Sequence, residues 1–375
     1  MYTELSGLIE AVRLKYVPDR RDDVFEIGVF EQDGKQVLRG VTTVPASKRE
    51  LLESAVVKYP QIMDEVLLLP DGSVGDKVYG VVNVSVADLR MAADYDAGMG
   101  TQLLLGQPVQ VLQHDKWWRV KTPEGYVAWI PEGSFTGLAK EDFNEWVNAP
   151  KIVFTDLWGY AYEEADSKKG TSSDLVFCNL LKFEGEQGAF YKVSYPDGRK
   201  AFVLKEQSMP YDEWLYTREI SPEKVLEKAV KFKGFPYIWG GTSSKGLDCS
   251  GFIKTVMLHF GIILRRDASQ QAKTGIQVDI SGGYGNLQPA DLMFFGKKAE
   301  GENRERIRHV AFYMGNNLFI HAASSFVRIS SLDPSSDIYD ELNTTEFIRA
   351  TRILGAIDTE GIWTMNKNPL YALQK

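Results

Sequence analysis

The hydrophobic positions of the chain divide it into a short mixed beginning, a strand-rich middle and a mixed C-terminal part. Apolar residues recur at helical spacing from Leu5 to Leu14, and residues 24–30 then alternate like a strand. An Asp-Gly pair at 33–34 predicts a hairpin turn into a second strand at 37–41. The chain is therefore expected to begin with a small α/β segment.

A helix over residues 48–57 is predicted next. Ser47 is followed three residues later by Glu50, which is the spacing of a capping box. Nothing before position 79 suggests a reaction or a ligand, so residues 1–78 are expected to form an N-terminal α+β accessory region.

An internal repeat occupies the middle of the chain. Residues 117–130 match residues 190–203 without a gap, at an offset of 73. Each copy reads as two short strands around a Pro-x-Gly turn, with other short strands nearby, which is typical of small β-barrels. We therefore expect two barrels, over residues 79–140 and 141–212.

The first copy of the repeat is rich in aromatic residues, namely Trp117, Trp118, Tyr126 and Trp129. A small barrel core does not need them all on one face, and a strand sends alternate side chains to opposite faces. Some of these rings should therefore point outward and form a binding or inter-domain surface.

The C-terminal part, residues 213–375, contains a cysteine in a suggestive place. Ser221 and Pro222 are a favourable helix cap and first residue. An aromatic, glycine-rich stretch then leads to Cys249, which opens a second apolar helical pattern. At the first turn of a helix the dipole is expected to lower the pKa of the thiol and make it a nucleophile.

Four histidines could act as a base for this thiol. His114 lies between polar residues in a predicted barrel loop, and His259 is ten residues along the helix from Cys249, nearly three turns away. His309 and His321 remain as candidates.

These two histidines lie in predicted strands joined by a tight turn at 315–317, and their numbers are symmetric about 315. Their rings are therefore expected to touch, so that Cys249, His309 and His321 would act as nucleophile, base and orienting group. Two structural sheet histidines would give the same pattern. A metal site would need a fourth ligand that the spacing does not suggest, so neither metal nor cofactor is expected.

Composition narrows the class of protein. The chain has 375 residues, of which 44% are hydrophobic and 25% charged, as in soluble globular proteins of several domains. A net charge of −8 argues against a nucleic-acid-binding surface. The two cysteines, Cys178 and Cys249, provide no disulfide framework, and no apolar stretch is long enough for a transmembrane segment.

The ordered motifs of the C-terminal part resemble those of the NlpC/P60 cysteine peptidases, a papain-like α+β group that cuts bacterial cell-wall peptides. The motifs are Tyr237-x-Trp239-Gly240-Gly241, Asp248-Cys249-Ser250-Gly251-Phe252, Pro289-Ala290-Asp291-Leu292, Arg308-His309-Val310-Ala311 and His321-Ala322. The two barrels resemble bacterial SH3 domains. The resemblance implies a papain-like catalytic domain, with helices packed on an antiparallel sheet, after two SH3-like β-barrels and the N-terminal α/β segment.

The resemblance also implies roles for single residues. Cys249 matches the nucleophile, His309 the base and His321 the third, polar member of the triad. Tyr237 matches an aromatic residue that lines the site and helps to hold the oxyanion.

Substrate contacts are implied beside the nucleophile and in a second segment. Asp248 and Ser250 match residues that contact substrate. The segment Arg-Asp-Ala-Ser-Gln at 266–270 resembles a family segment, so Asp267 and Ser269 are expected to contact the peptide. Ala268 departs from the usual serine, which weakens that match.

Two SH3 domains before such a domain are similar to the γ-D-glutamyl-L-diamino acid endopeptidases. The substrate implied is L-Ala-γ-D-Glu-diamino acid, with the first SH3 domain leaving room for only a free alanine amino end. Tyr126 and Trp129 are expected to form that wall, and Asp88, Asp94 or Asp96 to meet the ammonium.

Two other functions stay open. One is a peptidoglycan-binding SH3 protein with weak or no peptidase activity, and the other is an amidase or acyltransferase that passes a Cys249 thioester to another acceptor. We expect a bacterial monomer whose partners are peptidoglycan-derived peptides, not nucleic acid. The chain does not begin like a signal sequence, which is compatible with the cytoplasm, or with the periplasm or cell envelope if a leader was removed.

Overall fold

The structure is a computed structural model that describes residues 2–301 and 303–372. The first residue of the predicted accessory region and residues 373–375 of the predicted catalytic region lie outside the described residues. Among the residues that are described, no helix combines the length and apolar character needed to cross a membrane.

The N-terminal region packs two helices against a three-stranded sheet in which β1 and β2 are antiparallel and β2 and β3 parallel. Its elements are α1 (Tyr2–Tyr16), β1 (Phe25–Gln32), β2 (Lys35–Thr42), α2 (Pro45–Lys58) and β3 (Met63–Leu68). The predicted hairpin turn is confirmed, with Asp33 and Gly34 both at positive φ. The predicted capping box is wrong. Pro45 begins α2 earlier, and Ser47 instead donates its hydroxyl to the Val44 carbonyl at 2.7 Å.

Two seven-stranded sheets follow, separated by helix α3 (Lys140–Asn148). The first contains β4 (Tyr79–Val82), β5 (Val86–Arg90), β6 (Met99–Leu104), β7 (Pro108–Asp115), β8 (Trp117–Lys121), β9 (Val127–Pro131) and β10 (Phe135–Leu138). The second contains β11 (Lys151–Phe154), β12 (Trp158–Tyr162), β13 (Thr171–Val176), β14 (Leu180–Gln187), β15 (Phe190–Ser194), β16 (Lys200–Leu204) and β17 (Ser208–Pro210).

The two sheets share one topology. Their strand orders are β10-β4-β7-β8-β9-β5-β6 and β17-β11-β14-β15-β16-β12-β13, so every strand has a counterpart seven strands later. The repeated sequence forms the hairpins β8–β9 and β15–β16. The internal repeat therefore corresponds to a repeated fold unit.

The C-terminal part is a mixed helix and sheet structure. Its elements are α4 (Tyr211–Thr217), α5 (Pro222–Val230), β18 (Thr242–Ser243), β19 (Gly246–Leu247), α6 (Cys249–Leu258), β20 (Ile262–Leu264), α7 (Ala268–Gln271), β21 (Ile276–Val278), β22 (Leu292–Lys297), β23 (Arg306–Gly315), β24 (Leu318–Ala323), β25 (Phe326–Ser331), α8 (Glu341–Thr345), β26 (Phe347–Arg352) and β27 (Ile362–Thr364). As predicted, Ser221 caps α5 by accepting from the Lys224 amide at 3.3 Å.

A six-stranded antiparallel sheet with the order β21-β26-β22-β23-β24-β25 supports the site. Helix α6 packs on it through a buried core in which the rings of Phe252 and Phe312 lie 5.9 Å apart. The mixed α+β class expected from the sequence is confirmed. The thiol at the start of α6 therefore lies against the middle of the sheet.

Candidate active site

Helix α6 begins at Cys249 because Asp248 caps it. One oxygen of Asp248 accepts from the Gly251 amide at 2.7 Å and the other from the Gly240 amide at 2.9 Å. Gly251 is needed for close packing, since a Cβ there would lie 1.9 Å from the Gly241 carbonyl oxygen. The Asp-Cys-Ser-Gly motif and the glycine-rich loop before it therefore form one unit that fixes the cysteine.

A buried guanidinium supports this unit from behind. Arg266, only 1% exposed, donates to Asp248 Oδ2 at 2.6 Å and to Ser250 Oγ at 3.0 Å. The polar groups of Asp248 and Ser250 are thus engaged within the protein, so both residues hold the start of α6 in place.

The Cys249 thiol is a weak acid in this structure. Burial, followed by the nearby Asp248 carboxylate, raises the pKa of Cys249 to about 12. The backbone N–H groups of Ser250 and Val310 and the Arg266 charge act in the opposite direction but are outweighed. The pKa lowering predicted from the helix N-terminus is therefore wrong for the resting state. The Val310 interaction brings the sulfur against β23, beside His309.

The two candidate histidines form a hydrogen-bonded pair. His309 Nε2 lies 2.7 Å from His321 Nδ1, so the prediction that the rings touch is confirmed. The hairpin register differs from the symmetric one by two residues, because Asn316 and Asn317 alone make the turn, both at positive φ, and Phe312 pairs with Ile320. The rings therefore meet diagonally.

Burial keeps both histidines neutral. It lowers the pKa of His309 well below its ordinary value and that of His321 to about 3. His321 Nε2 lies 3.1 Å from Ser330 Oγ and 4.0 Å from Asp340 Oδ2. Because a carboxylate only accepts hydrogen bonds, Asp340 favours a proton on His321 Nε2, which leaves Nδ1 to accept one from His309.

A cleft of about 550 Å³ opens over the thiol. Six of the predicted substrate-contact residues lie among the residues that line it: Tyr126, Tyr237, Asp248, Ser250, Asp267 and Ser269. Trp129 does not. On β9 its neighbours Ala128 and Ile130 enter the barrel core, and its ring lies on the other side, 5.3 Å from the Arg119 guanidinium.

The acids proposed to meet a substrate ammonium are not cleft residues. Asp88 accepts from Gln102 at 2.9 Å and borders a separate cavity, whereas Asp94 and Asp96 are exposed in the turn between β5 and β6. Two carboxylates, Asp248 and Asp267, line the cleft, and Asp248 is already paired with Arg266.

Several further residues line the cleft that were not predicted from the sequence: Arg21 from the N-terminal region, Met91 and Met99 from the first sheet, and Trp239, Arg306 and Arg308 from the C-terminal part. The sequence carried a signal for Trp239, which lies in the glycine-rich motif before Cys249 and is 74% exposed. Arg21 carried no local signal, since its cleft partners lie about 250 residues away.

His259, the C-cap residue of α6, is not among the residues that line the cleft. His259 stacks on Phe177 with ring centroids 3.5 Å apart and bonds through Nδ1 to the Thr255 carbonyl at 3.0 Å. Both cysteines are free, so Cys249 is not tied up in a disulfide.

A thiol at a helix start, beside a coupled histidine pair and under a cleft, is the arrangement of a cysteine hydrolase. Comparison with known proteins narrows this class. The profile of the NlpC/P60 family matches residues 234–343, and that of the bacterial dipeptidyl-peptidase Sh3 domain matches residues 89–135. The chain belongs to the NlpC/P60 family of cysteine peptidases.

Individual relatives agree with this assignment. The chain is 32% identical over 231 residues to a Bacillus cereus protein named gamma-D-glutamyl-L-lysine dipeptidyl-peptidase, covering 59% of this chain and 66% of that protein. It is 42% identical over 129 residues to the probable endopeptidase NlpC of Escherichia coli, covering 34% of this chain and 75% of that one. A crystal structure of a Bacillus cereus NlpC/P60 family protein superposes with a TM-score of 0.61 at 26% identity, covering 73% and 99% of the two chains.

Proposed function

We propose that the chain hydrolyses the bond between γ-D-glutamate and the diamino acid in free L-Ala-γ-D-Glu-diamino acid peptides of peptidoglycan turnover. The observation that carries this proposal is the first barrel's contribution to the cleft, where Met99, Gly100 and Tyr126 form a wall beside Asp267. Such a wall suits the end of a short peptide better than the middle of a cross-linked polymer. The name of the Bacillus cereus relative supports the same choice of bond.

The chemistry would begin with proton transfer from Cys249. Because His309 Nε2 is engaged by His321, the acceptor is His309 Nδ1. Burial disfavours a separated thiolate and imidazolium, so the proton leaves as the sulfur bonds to the γ-carbonyl carbon. The carbon–nitrogen bond then breaks, and His309 returns the proton to the departing amine.

Water would complete the cycle. His309 removes a proton from water as its oxygen attacks the thioester carbonyl, and the proton passes to the departing Cys249 sulfur. His321 would keep the His309 ring oriented, and Tyr237, which lines the cleft, would steady the oxyanion. Its pKa is raised, first of all by burial, so its hydroxyl remains a donor. Asp267 and Ser269 would contact the alanine end.

The proposed division of the chain is an N-terminal region over 1–78, SH3-like barrels over 79–140 and 141–212, and a catalytic domain over 213–375. The second barrel is supported by its strand order, which repeats that of the first, although the Sh3 profile matches only residues 89–135.

Hydrolysis of L-Ala-γ-D-Glu-diaminopimelate and its N-acetyl derivative, followed by chromatography, tests the proposal. We expect release of L-Ala-D-Glu from the free peptide and little from the blocked one. Equal cleavage of both peptides would reject the proposal that the first barrel excludes peptides with a blocked amino end. Binding without hydrolysis in the unmodified protein would favour a peptidoglycan-binding role, and transfer to an added amine would favour an acyltransferase.

A further inference from the structure

A loop of the N-terminal region, residues 19–22, reaches the catalytic cleft, and we call it the clasp loop. Its Arg21 lines the cleft and donates from Nη1 to Asp267 Oδ2 at 2.7 Å and to Ser269 Oγ at 3.0 Å. Both acceptors are residues that the proposed function assigns to the alanine end of the peptide. A region expected to be an accessory therefore touches the site itself.

Arg21 is restrained from the other side as well. Its Nε and Nη2 donate to the two carboxylate oxygens of Asp19 at 2.8 and 2.6 Å. Its carbonyl accepts from the Val127 amide of the first barrel at 2.7 Å. Since the guanidinium fork is engaged by protein carboxylates, Arg21 is suited to holding Asp267 rather than to binding an anion of the substrate.

The charges at this end of the cleft suit an ammonium group. Asp19, Arg21 and Asp267 together carry two carboxylates and one guanidinium, so these three side chains have one excess negative charge, with the Lys273 charge acting on Asp19 from further away. Arg266 is matched to Asp248. Asp267 Oδ1 lies 3.9 Å from Arg266, too far for a hydrogen bond, so this oxygen is the one that a substrate ammonium would meet.

We propose that Arg21 is a positioning residue that fixes the Asp267 carboxylate and thereby makes the enzyme select peptides with a free N-terminal ammonium. The inference rests on the proposed function. Without Arg21 the Asp267 side chain, 30% exposed, keeps only its capping contacts at the start of α7, so its pairing with the ammonium costs additional ordering of the side chain. The specificity of the catalytic domain would depend on a loop nearly 250 residues upstream.

The test compares Arg21→Ala and Arg21→Lys with the unmodified full chain on free and N-acetylated L-Ala-γ-D-Glu-diaminopimelate. For Arg21→Ala we expect KM for the free peptide to rise about 10-fold with a smaller change in kcat, and the preference for the free peptide to fall by a similar factor. Lysine keeps one charged donor, so Arg21→Lys should recover part of the preference.

Asp22→Asn is the matched control. Asp22 lies in the same clasp loop and accepts from Arg265 and, at 2.7 Å, from Gln270 across the same contact, but none of the three residues lines the cleft. We expect its preference for the free peptide to stay within about twofold of that of the unmodified chain. Equal loss of preference in Asp22→Asn and Arg21→Ala would mean that loop docking alone matters and would overturn the inference.

Two further outcomes separate failure of the inference from failure of the proposed function. An unchanged preference in folded Arg21→Ala overturns the inference and leaves the proposed function standing. If the unmodified chain cuts neither peptide, the proposed function fails and the inference fails with it, whereas equal cutting of both peptides overturns the inference and leaves the proposed bond specificity standing. Should Arg21→Ala not fold, Asp19→Asn loosens the same guanidinium from behind, and the inference requires a smaller loss of preference in the same direction.

Discussion

Substituting Asp248 with asparagine should destabilise the protein severely. Asparagine can still cap α6 through its side-chain oxygen, but it removes the charge that faces Arg266 across 2.6 Å. Because Arg266 is 1% exposed, its charge would remain buried with only the more distant Asp267 carboxylate, at 3.9 Å, to offset it. Breaking a buried pair in this way costs about 3–5 kcal/mol, a large share of the roughly 5–15 kcal/mol that a typical protein has.

Urea unfolding followed by circular dichroism measures this loss. Glu145→Gln is the control, because Glu145 pairs with Lys182 at 2.9 Å with side chains 72% and 32% exposed, and its loss should cost at most about 1 kcal/mol. Adding Arg266→Met to Asp248→Asn should recover much of the stability, since the unpaired charge is then gone. A loss below about 1 kcal/mol for Asp248→Asn alone would refute the buried-pair reasoning.

Three further predictions concern catalysis and pH. Cys249→Ala should abolish hydrolysis while calorimetry still detects peptide binding, and hydrolysis that survives alkylation of the thiol would reject the mechanism. His309→Ala should be nearly as inactive, whereas His321→Ala should lose about 10²-fold in kcat, because an orienting group takes no proton in the reaction; equal losses would contradict this order. Burial lowers the pKa of His259 to about 3, below the value of about 6.5 in an unfolded chain. The unfolded state therefore binds the proton first, and the unfolding free energy should fall as pH drops from about 6.5 towards 3. His259→Gln should flatten that slope by up to about 1.4 kcal/mol per pH unit, and an unchanged slope would contradict it.

Most elements of the fold could be predicted from local patterns. The Ser221 cap, the Asp33-Gly34 turn and the repeated hairpins depend on neighbouring residues, so sequence spacing alone indicates them. The helix predicted over 48–57 begins earlier in the structure, because Pro45 starts it before the position that the Ser47 pattern suggests. A cap motif is therefore informative only when no stronger helix-starting residue precedes it.

The candidate site could be predicted only in part. The contact between His309 and His321 followed from one short hairpin, whose turn limits the possible registers. The raised pKa of Cys249 could not be predicted from the sequence. Burial is a property of the packed molecule, and its effect on the pKa here outweighs that of the helix N-terminus. The prediction that Trp129 forms part of the cleft wall did not hold for a similar reason, since the face of the barrel that it occupies is covered by Arg119.

The position of the N-terminal region explains why the cleft wall can be made from separate segments of chain. Glu26 accepts from Arg119 at 2.9 Å and Asp23 from Lys121 at 3.0 Å, which joins the region to the first barrel. Arg21 joins it to Asp267 in the catalytic domain. Besides the direct contacts between the first barrel and the catalytic domain, such as the buried pair of Glu124 with Lys254, the N-terminal region thus contacts both sides of the cleft through Arg21, Asp23 and Glu26. Because these ion pairs are only partly buried, salt should weaken them, and the preference for a free amino end should be more sensitive to ionic strength than the chemistry at Cys249.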